Sequence, residues 1–170
     1  MPRKTFPTSY WTFFCNPRIW EIDRHLASNP KEGNYRISPY QTSWFEIGQL
    51  GVIRVGVDNR NRKELAGKPK VKPGVYGIIE IISEPYKSLS DHPEFYLNNH
   101  PKASIASPRI RYRMVKNLLG KPLVFTDLQE DELIQEDPYL VKGFQGASMP
   151  LHPLSFRRIL ELADVGEMEM

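Results

Sequence analysis

The stretch Tyr10-Trp11-Thr12-Phe13-Phe14-Cys15-Asn16-Pro17-Arg18-Ile19-Trp20 constrains this 170-residue chain more than any other. Aromatic and β-branched residues favour a pleated, half-buried surface. Tyr10 to Cys15 is almost continuously apolar, which predicts a strand covered on both faces rather than one that alternates. Asn16 has the chemistry of a helix cap, with Pro17 at a first helical position where a missing N–H costs nothing. Ile19, Ile22 and Leu26 follow at spacings of three and four, the pattern of one buried helical face. A strand covered on both sides needs a substantial core, and a chain of this length supplies one within a single domain.

Three further strands are expected. Gly51 to Val57 is β-rich. Val75 to Ser83 is β-branched almost throughout and stops at Glu84-Pro85, with Gly77 suggesting a bulge or a close backbone approach. Arg109-Ile110-Arg111-Tyr112-Arg113-Met114 alternates strictly, three arginines on one face and three apolar residues on the other. Between these, residues 29–43 read as a loop rich in turn chemistry that delivers Trp44, either as a lid on the core or as a stacking surface. Residues 84–108, broken by four prolines, read as irregular, with a short helix from Pro93 to Asn98. A helix is expected near 127–135 with Thr126 as N-cap and Gln129 in the capping-box position. A short strand is expected within Gly143 to Pro150. A last helix capped by Ser155 carries Phe156, Ile159, Leu160 and Ala163 at helical spacing. The expected organisation is a flexible lead over 1–8, one domain over 9–163 and an acidic tail over 164–170.

Charge is uneven. Residues 127–170 hold ten Asp/Glu against three Lys/Arg, a net of −7, so with an overall charge of +3 the first 126 residues carry +10. A basic front is what a polyanion binder presents, and it is equally what solvated surfaces accumulate. Residues 58–74 form a basic connection in which Lys68, Lys70 and Lys72 lie at spacing two on one side of an extended chain. This reads either as a solvated hairpin tip or as a phosphate-contacting arm. The ladder of Arg109, Arg111 and Arg113 asks for counter-charge. That charge comes from the acidic C-terminal third or from a phosphate backbone.

Catalytic signatures are missing. The four histidines lie far apart, with no Cys or His pair at zinc-ligand spacing, no phosphate-binding glycine loop and no nucleophile elbow. No apolar run approaches the ~20 residues of a membrane helix. Met1 to Thr5 is not followed by the apolar segment of a secretory signal. The single cysteine, Cys15, excludes an intramolecular disulfide and fits a reducing cytoplasm. Basic strands interleaved with tryptophan and tyrosine remain, the combination that holds backbone phosphates while stacking a base.

From about Ser9 to Leu162 the chain resembles the EVE domain, a member of the PUA-like superfamily related to the YTH domain. The resemblance rests on several motifs in order. They are Tyr10-Trp11-x-Phe13-x-x-Asn16-Pro17-x-x-Trp20; Trp44 ahead of the strand at 51–57; the glycine-led strand from Pro73-Gly74-Val75-Tyr76-Gly77 to Glu84-Pro85; Leu118-x-x-Lys121-Pro122-Leu123; and Phe144-Gln145-Gly146-Ala147-Ser148-Met149-Pro150-Leu151 with its closing Pro-Leu-Ser helix. It implies an α+β fold, a PUA-like mixed β-barrel of about five to six strands flanked by helices. It implies a non-catalytic nucleic-acid-binding module with an aromatic pocket for a single flipped-out base. Modified cytosine in DNA comes first among the ligands it suggests. The alternatives are an RNA-binding module for tRNA, rRNA or methylated adenine, and an enzyme of RNA or nucleotide metabolism on the same barrel. In the base pocket it implies Trp44 as stacking wall, Asn16 and Ser43 at the base edge, and Trp20 or Tyr40 as second wall. Arg109, Arg111, Arg113, Lys68, Lys70 and Lys72 are the expected phosphate contacts. No cofactor and no metal are expected, and a restriction or defence nuclease is the implied protein partner.

Overall fold

A computed structural model of the protein describes residues 7–135, 137, 140 and 147–165. Its spine is β1 (Tyr10–Cys15), whose alternate residues enter two separate hydrophobic clusters. Trp11, Phe13 and Cys15 face one, and Tyr10 packs on the other. β1 runs parallel to β3 (Leu50–Val55) and antiparallel to β8 (Ser148–Pro150). β3 pairs with β4 (Gly74–Ile81), β4 with β6 (Ser107–Asn117), and β6 with β2 (Glu32–Arg36). The main path is thus six strands, β2-β6-β4-β3-β1-β8. Two short strands lie off it, β5 (Tyr86–Ser88) on β6 and β7 (Leu123–Val124) on β4.

The two ends of this path meet. Ser38, just beyond β2, gives its backbone N–H to the Ser148 hydroxyl at 2.9 Å and its own hydroxyl to the Ser148 carbonyl at 3.2 Å. The Ser148 hydroxyl in turn donates to Gln41 Oε1 at 2.6 Å. All three residues are buried, so these bonds form in a low-dielectric seam where an unpaired polar group would be costly. The sheet therefore curls into an α+β half-barrel whose open edges are joined by a polar clasp.

One core cluster fills the inside of the curl, around Trp11, Phe13, Ile53, Ile79, Ile110 and Tyr112. Trp11 stacks on Phe45 with ring centroids 3.9 Å apart. The second cluster lies under α3 (Phe125–Leu128) and α4 (Pro153–Leu162), and includes Val52, Ile78, Leu128, Phe156 and Ile159. Gly33 belongs to β2 because its α-carbon abuts the Tyr112 ring, where an added Cβ would come within 2.9 Å of the hydroxyl. The bulge expected around Gly77 is present: Ile53 faces Gly77 and Arg54 faces Val75, leaving Tyr76 as the extra residue. No helix among the described residues is long and apolar enough to cross a membrane.

Several local expectations need correction. Asn16 does not cap the first helix. α1 spans Ile22–Ala27, preceded by Glu21, while Asn16 closes a tighter turn by accepting the Arg18 N–H on Oδ1 and those of Ile19 and Trp20 on its carbonyl. Residues 29–43 are not a plain loop but hold β2 and a 3₁₀ helix, Pro39–Trp44. The expected helix at 127–135 is a single turn, α3, with Val124 rather than Thr126 at its N-cap and no side-chain cap. α4 is capped by His152, whose ring nitrogen accepts the Leu154 N–H, and Ser155 is buried inside it. Of the segment 143–150, Ser148–Pro150 is a strand and 143–146 lies outside the described residues. The short helix expected from Pro93 is a 3₁₀ turn, Pro93–Phe95, followed by another at Pro101–Ser104.

The connection after β3 also differs from a bare basic arm. It carries a helical turn, α2 (Arg62–Leu65), closed by a capping box between Asn61 and Glu64. Arg60 is wholly buried. Its guanidinium donates to both Asp58 oxygens, to Glu21 Oε2 and to Asp23 Oδ1, at 2.7–3.0 Å.

Candidate functional site

β2, the end of β1 and the segment from Ser90 to Arg109 enclose a cavity of about 400 Å³, beside the seam where the barrel closes. β2 enters the wall because Tyr35 and Arg36 follow Asn34 along a strand paired to β6. The end of β1 enters because the Asn16 turn carries the chain across the cavity mouth to Trp20.

The aromatic walls are fixed. Trp20 donates its indole N–H to the His92 carbonyl at 3.0 Å, and its backbone forms a β-bridge with Tyr96. Its ring meets Tyr35 and Phe95 edge-on, at 6.5 and 5.8 Å. Tyr35 donates its hydroxyl to the Phe14 carbonyl at 3.2 Å, and burial pushes its phenol well above the ordinary range, so it stays a neutral donor. Burial likewise pushes the Cys15 thiol up to about 12, which leaves it inert as a nucleophile at neutral pH.

Polar groups differ in how committed they are. Asn34 is a brace: its NH2 donates to the Leu89 carbonyl at 2.9 Å and to the Tyr86 hydroxyl at 3.3 Å, and its oxygen accepts the Asp91 N–H. Asn16 has its oxygen occupied by the Arg18 N–H, while its NH2 has no partner among the described residues. The Ser107 hydroxyl is buried with no partner among the described residues. Three cations, Arg36, Lys102 and Arg109, line the cavity, and among the described residues no carboxylate does. Burial lowers the Lys102 pKa, and the charge of Arg36 lowers it further.

The site residues expected from sequence fall into separate groups. Asn16, Trp20 and Arg109 are on the cavity wall. Tyr40, Ser43 and Trp44 are together on the 3₁₀ helix Pro39–Trp44 and are not brought to the cavity. Tyr40 is 62% exposed and meets the half-buried Trp44 edge-on at 6.0 Å. Along β6 the three arginines part company. Arg109 is buried, its Nε–H donating to the Ser88 carbonyl. Arg111 pairs with Asp91 at 2.6 Å and Glu32 at 3.7 Å, and Arg113 with Glu80 at 2.8 Å. Among the described residues, the counter-charge for Arg111 and Arg113 therefore comes from neighbouring strands and loops, not from the C-terminal third. Lys68 is drawn to Asp23 and Glu21, at 3.4 and 3.6 Å, while Lys70 and Lys72 are exposed.

Tyr35, Arg36, Tyr96, Lys102 and Ser107 were not singled out from sequence. They sit in stretches read as loops, and the only hint was that two of them, Tyr35 and Arg36, follow Gly33-Asn34 within a polar run. Among the described residues, no group of three or more His, Cys, Asp or Glu side chains could hold a metal ion.

Solved structures share this architecture. A hypothetical protein from Leishmania major superposes with a TM-score of 0.60 at 15% identity, over 92% of this chain and 95% of that one. Human THYN1 protein, crystallised in complex with 5-methylcytosine-containing DNA, gives 0.54 at 16% identity, over 95% and 99% of the two chains. The DUF55 domain of human thymocyte nuclear protein 1 gives 0.53 at 16%, over 90% and 97%. The chain has the EVE-domain fold. No protein-family model and no curated protein sequence matches it. In this EVE-domain fold the cavity lies at the closing seam of the half-barrel, so its walls come from residues far apart in sequence, from Phe14 to Ala147.

Proposed function

We propose that the protein is a nucleic-acid-binding module that takes one flipped-out base, first of all a 5-methylcytosine of DNA, into the cavity between Trp20, Tyr35 and Tyr96. The observation that carries this is the composition of the wall: aromatic faces and three cations, with an uncommitted Asn16 amide and no carboxylate among the described residues. A volume of about 400 Å³ falls within the roughly 300–1,000 Å³ typical of small-molecule sites. Extruding a base costs a few kcal/mol, and stacking on an aromatic side chain returns roughly 1–3 kcal/mol. The crystal structure of human THYN1 with methylated DNA supports DNA as the polymer.

Ile19 and Ile105 add apolar surface to the same wall, against which a 5-methyl group packs. Burying one such carbon is worth about 0.8 kcal/mol, which sets the expected preference for 5-methylcytosine over cytosine at about fourfold. Fluorescence anisotropy with matched oligonucleotides, one modified base each, tests this. Tyr96→Ala, which removes a half-buried wall without opening the core, should bring the two affinities together. Equal affinities in the parent protein would remove the methyl reading. A matched RNA arm measures how the site treats the 2′-hydroxyl.

A further inference from the structure

Arg36 and Arg109 are directly opposed in the antiparallel β2–β6 ladder, and both line the cavity. Directly opposed residues have Cβ atoms about 4.5–5.5 Å apart, and like charges in that position repel. Three other arginines are answered with carboxylates: Glu80 for Arg113, Asp91 and Glu32 for Arg111, three acids for Arg60; a fourth, the buried Arg54, lies against the Phe14 and Phe125 rings and donates to the Leu140 carbonyl. Arg36 and Arg109 are not answered in this way. Neither forms an ion pair among the described residues, and the only hydrogen-bond partner of the Arg109 side chain there is the Ser88 carbonyl. Lys102 adds a third cation on the same wall. A partly buried cluster of like charges with no acid is an unfinished electrostatic arrangement, and the group that completes it is an anion.

We infer that the cavity holds the phosphate of the same nucleotide whose base it takes, clamped by the opposed Arg36 and Arg109 with Lys102 beside them. This rests on the base-pocket reading above and extends it from a base to an anionic nucleotide. Two guanidinium groups from facing strands suit the tetrahedral oxygens of a phosphate, each offering paired N–H donors. The group is either a phosphodiester within a strand, with two non-bridging oxygens, or the phosphomonoester of a free nucleotide, with three; both are anionic oxygens that a guanidinium pair can hold.

Calorimetric titration separates the parts. The ligands are 5-methyl-2′-deoxycytidine, its 5′-monophosphate, and inorganic phosphate. A cytidine-free dinucleoside monophosphate of thymidine measures the diester alone. The monophosphate is expected to bind at least about tenfold more tightly than the nucleoside, and the gap to narrow as salt is raised. In the Arg36→Met/Lys102→Met double variant the gap should fall to about twofold or less, while Lys102→Arg retains it. Both substitutions are on half-buried side chains without ion pairs, so the variants remain folded, which a thermal melt confirms. Equal binding of nucleoside and monophosphate overturns the inference and leaves the base pocket standing. Inorganic phosphate binding as tightly as the monophosphate keeps the anion clamp and removes the base pocket. An undiminished gap in the double variant, or no heat with any ligand, overturns the clamp.

Discussion

Two regions of this protein gather cationic side chains out of water, and they do so on opposite terms. In the knot after β3, Arg60 is wholly buried and its guanidinium meets Asp58, Glu21 and Asp23 at 2.7–3.0 Å. Burial opposes its charge, but the carboxylates outweigh this and raise its pKa. Asp58 shows the reciprocal effect: burial alone would raise it, yet Arg60 and the Val71 and Arg60 backbone N–H groups hold it below the usual carboxylate range. In the cavity, Arg36, Lys102 and Arg109 share a wall with no acid on it among the described residues. The knot is internally complete and fastens α1 to the long connection. The cavity has no such counter-charge among the described residues, and the nucleotide proposed above is the anion that would complete it.

The largest expected effect belongs to the knot. Arg60→Met takes the guanidinium from the buried Asp58 and leaves Glu21 and Asp23 with Arg24 and Lys68 alone, and should cost about 3–5 kcal/mol of stability, read as a lower urea midpoint. Affinity for oligonucleotide, measured where the variant is still folded, should be unchanged. A loss of affinity in the folded variant would merge two regions that the structure keeps apart.

The next effect lies behind the cavity wall. His25 is fully buried beside Trp20, His92 and Phe95, and one ring nitrogen has no partner among the described residues. Burial lowers its pKa to about 4, the His92 charge adds to this and Glu94 opposes it. The folded pKa lies below the unfolded one near 6.5, so the fold is favoured by the neutral ring. Stability is fully present above pH ~6.5 and falls by up to about 3 kcal/mol as pH drops towards 4. Stability curves at several pH values should show this slope in the parent and a shallower one in His25→Phe.

Arg109→Met sharpens the contrast with Arg60. It relieves repulsion with Arg36 while losing one bond to the Ser88 carbonyl, so stability should change by no more than about 1 kcal/mol. Oligonucleotide binding should weaken by about 2 kcal/mol, roughly thirtyfold. The smallest effects are expected on the same strand, at Arg111 and Arg113. Their charges are met by Asp91, Glu32 and Glu80 in solvent-accessible positions. Replacing either with Met should alter stability by less than about 1 kcal/mol and affinity by less than about threefold.

Those three arginines also show what could be read from the chain alone. Alternation placed 109, 111 and 113 on one face of a half-buried strand, and β6 bears that out. It could not say which would meet a carboxylate, because Glu32, Glu80 and Asp91 arrive through pairing and loop geometry from elsewhere. β1 and β4 were legible because their apolar runs are long enough to outweigh local turn signals. β2 was not: Glu-Gly-Asn-Tyr-Arg is short and polar, and it is a strand because β6 lies beside it and the Tyr112 ring fills the space over Gly33. The EVE-like order of motifs pointed to the fold. It did not separate Trp20 from Trp44, since both pack on one core cluster and only the curl of the sheet decides which faces the cavity.

That separation is also the most direct test. Amide chemical-shift mapping with an oligonucleotide carrying a single 5-methylcytosine distinguishes the two surfaces residue by residue. The expected result is a set of saturable shifts centred on Asn16, Trp20, Tyr35, Arg36, Ser107 and Ala147, with those of Tyr40 to Ile47 small. Shifts centred instead on Tyr40, Ser43 and Trp44, with the cavity residues unmoved, would contradict the assignment of the base to the cavity.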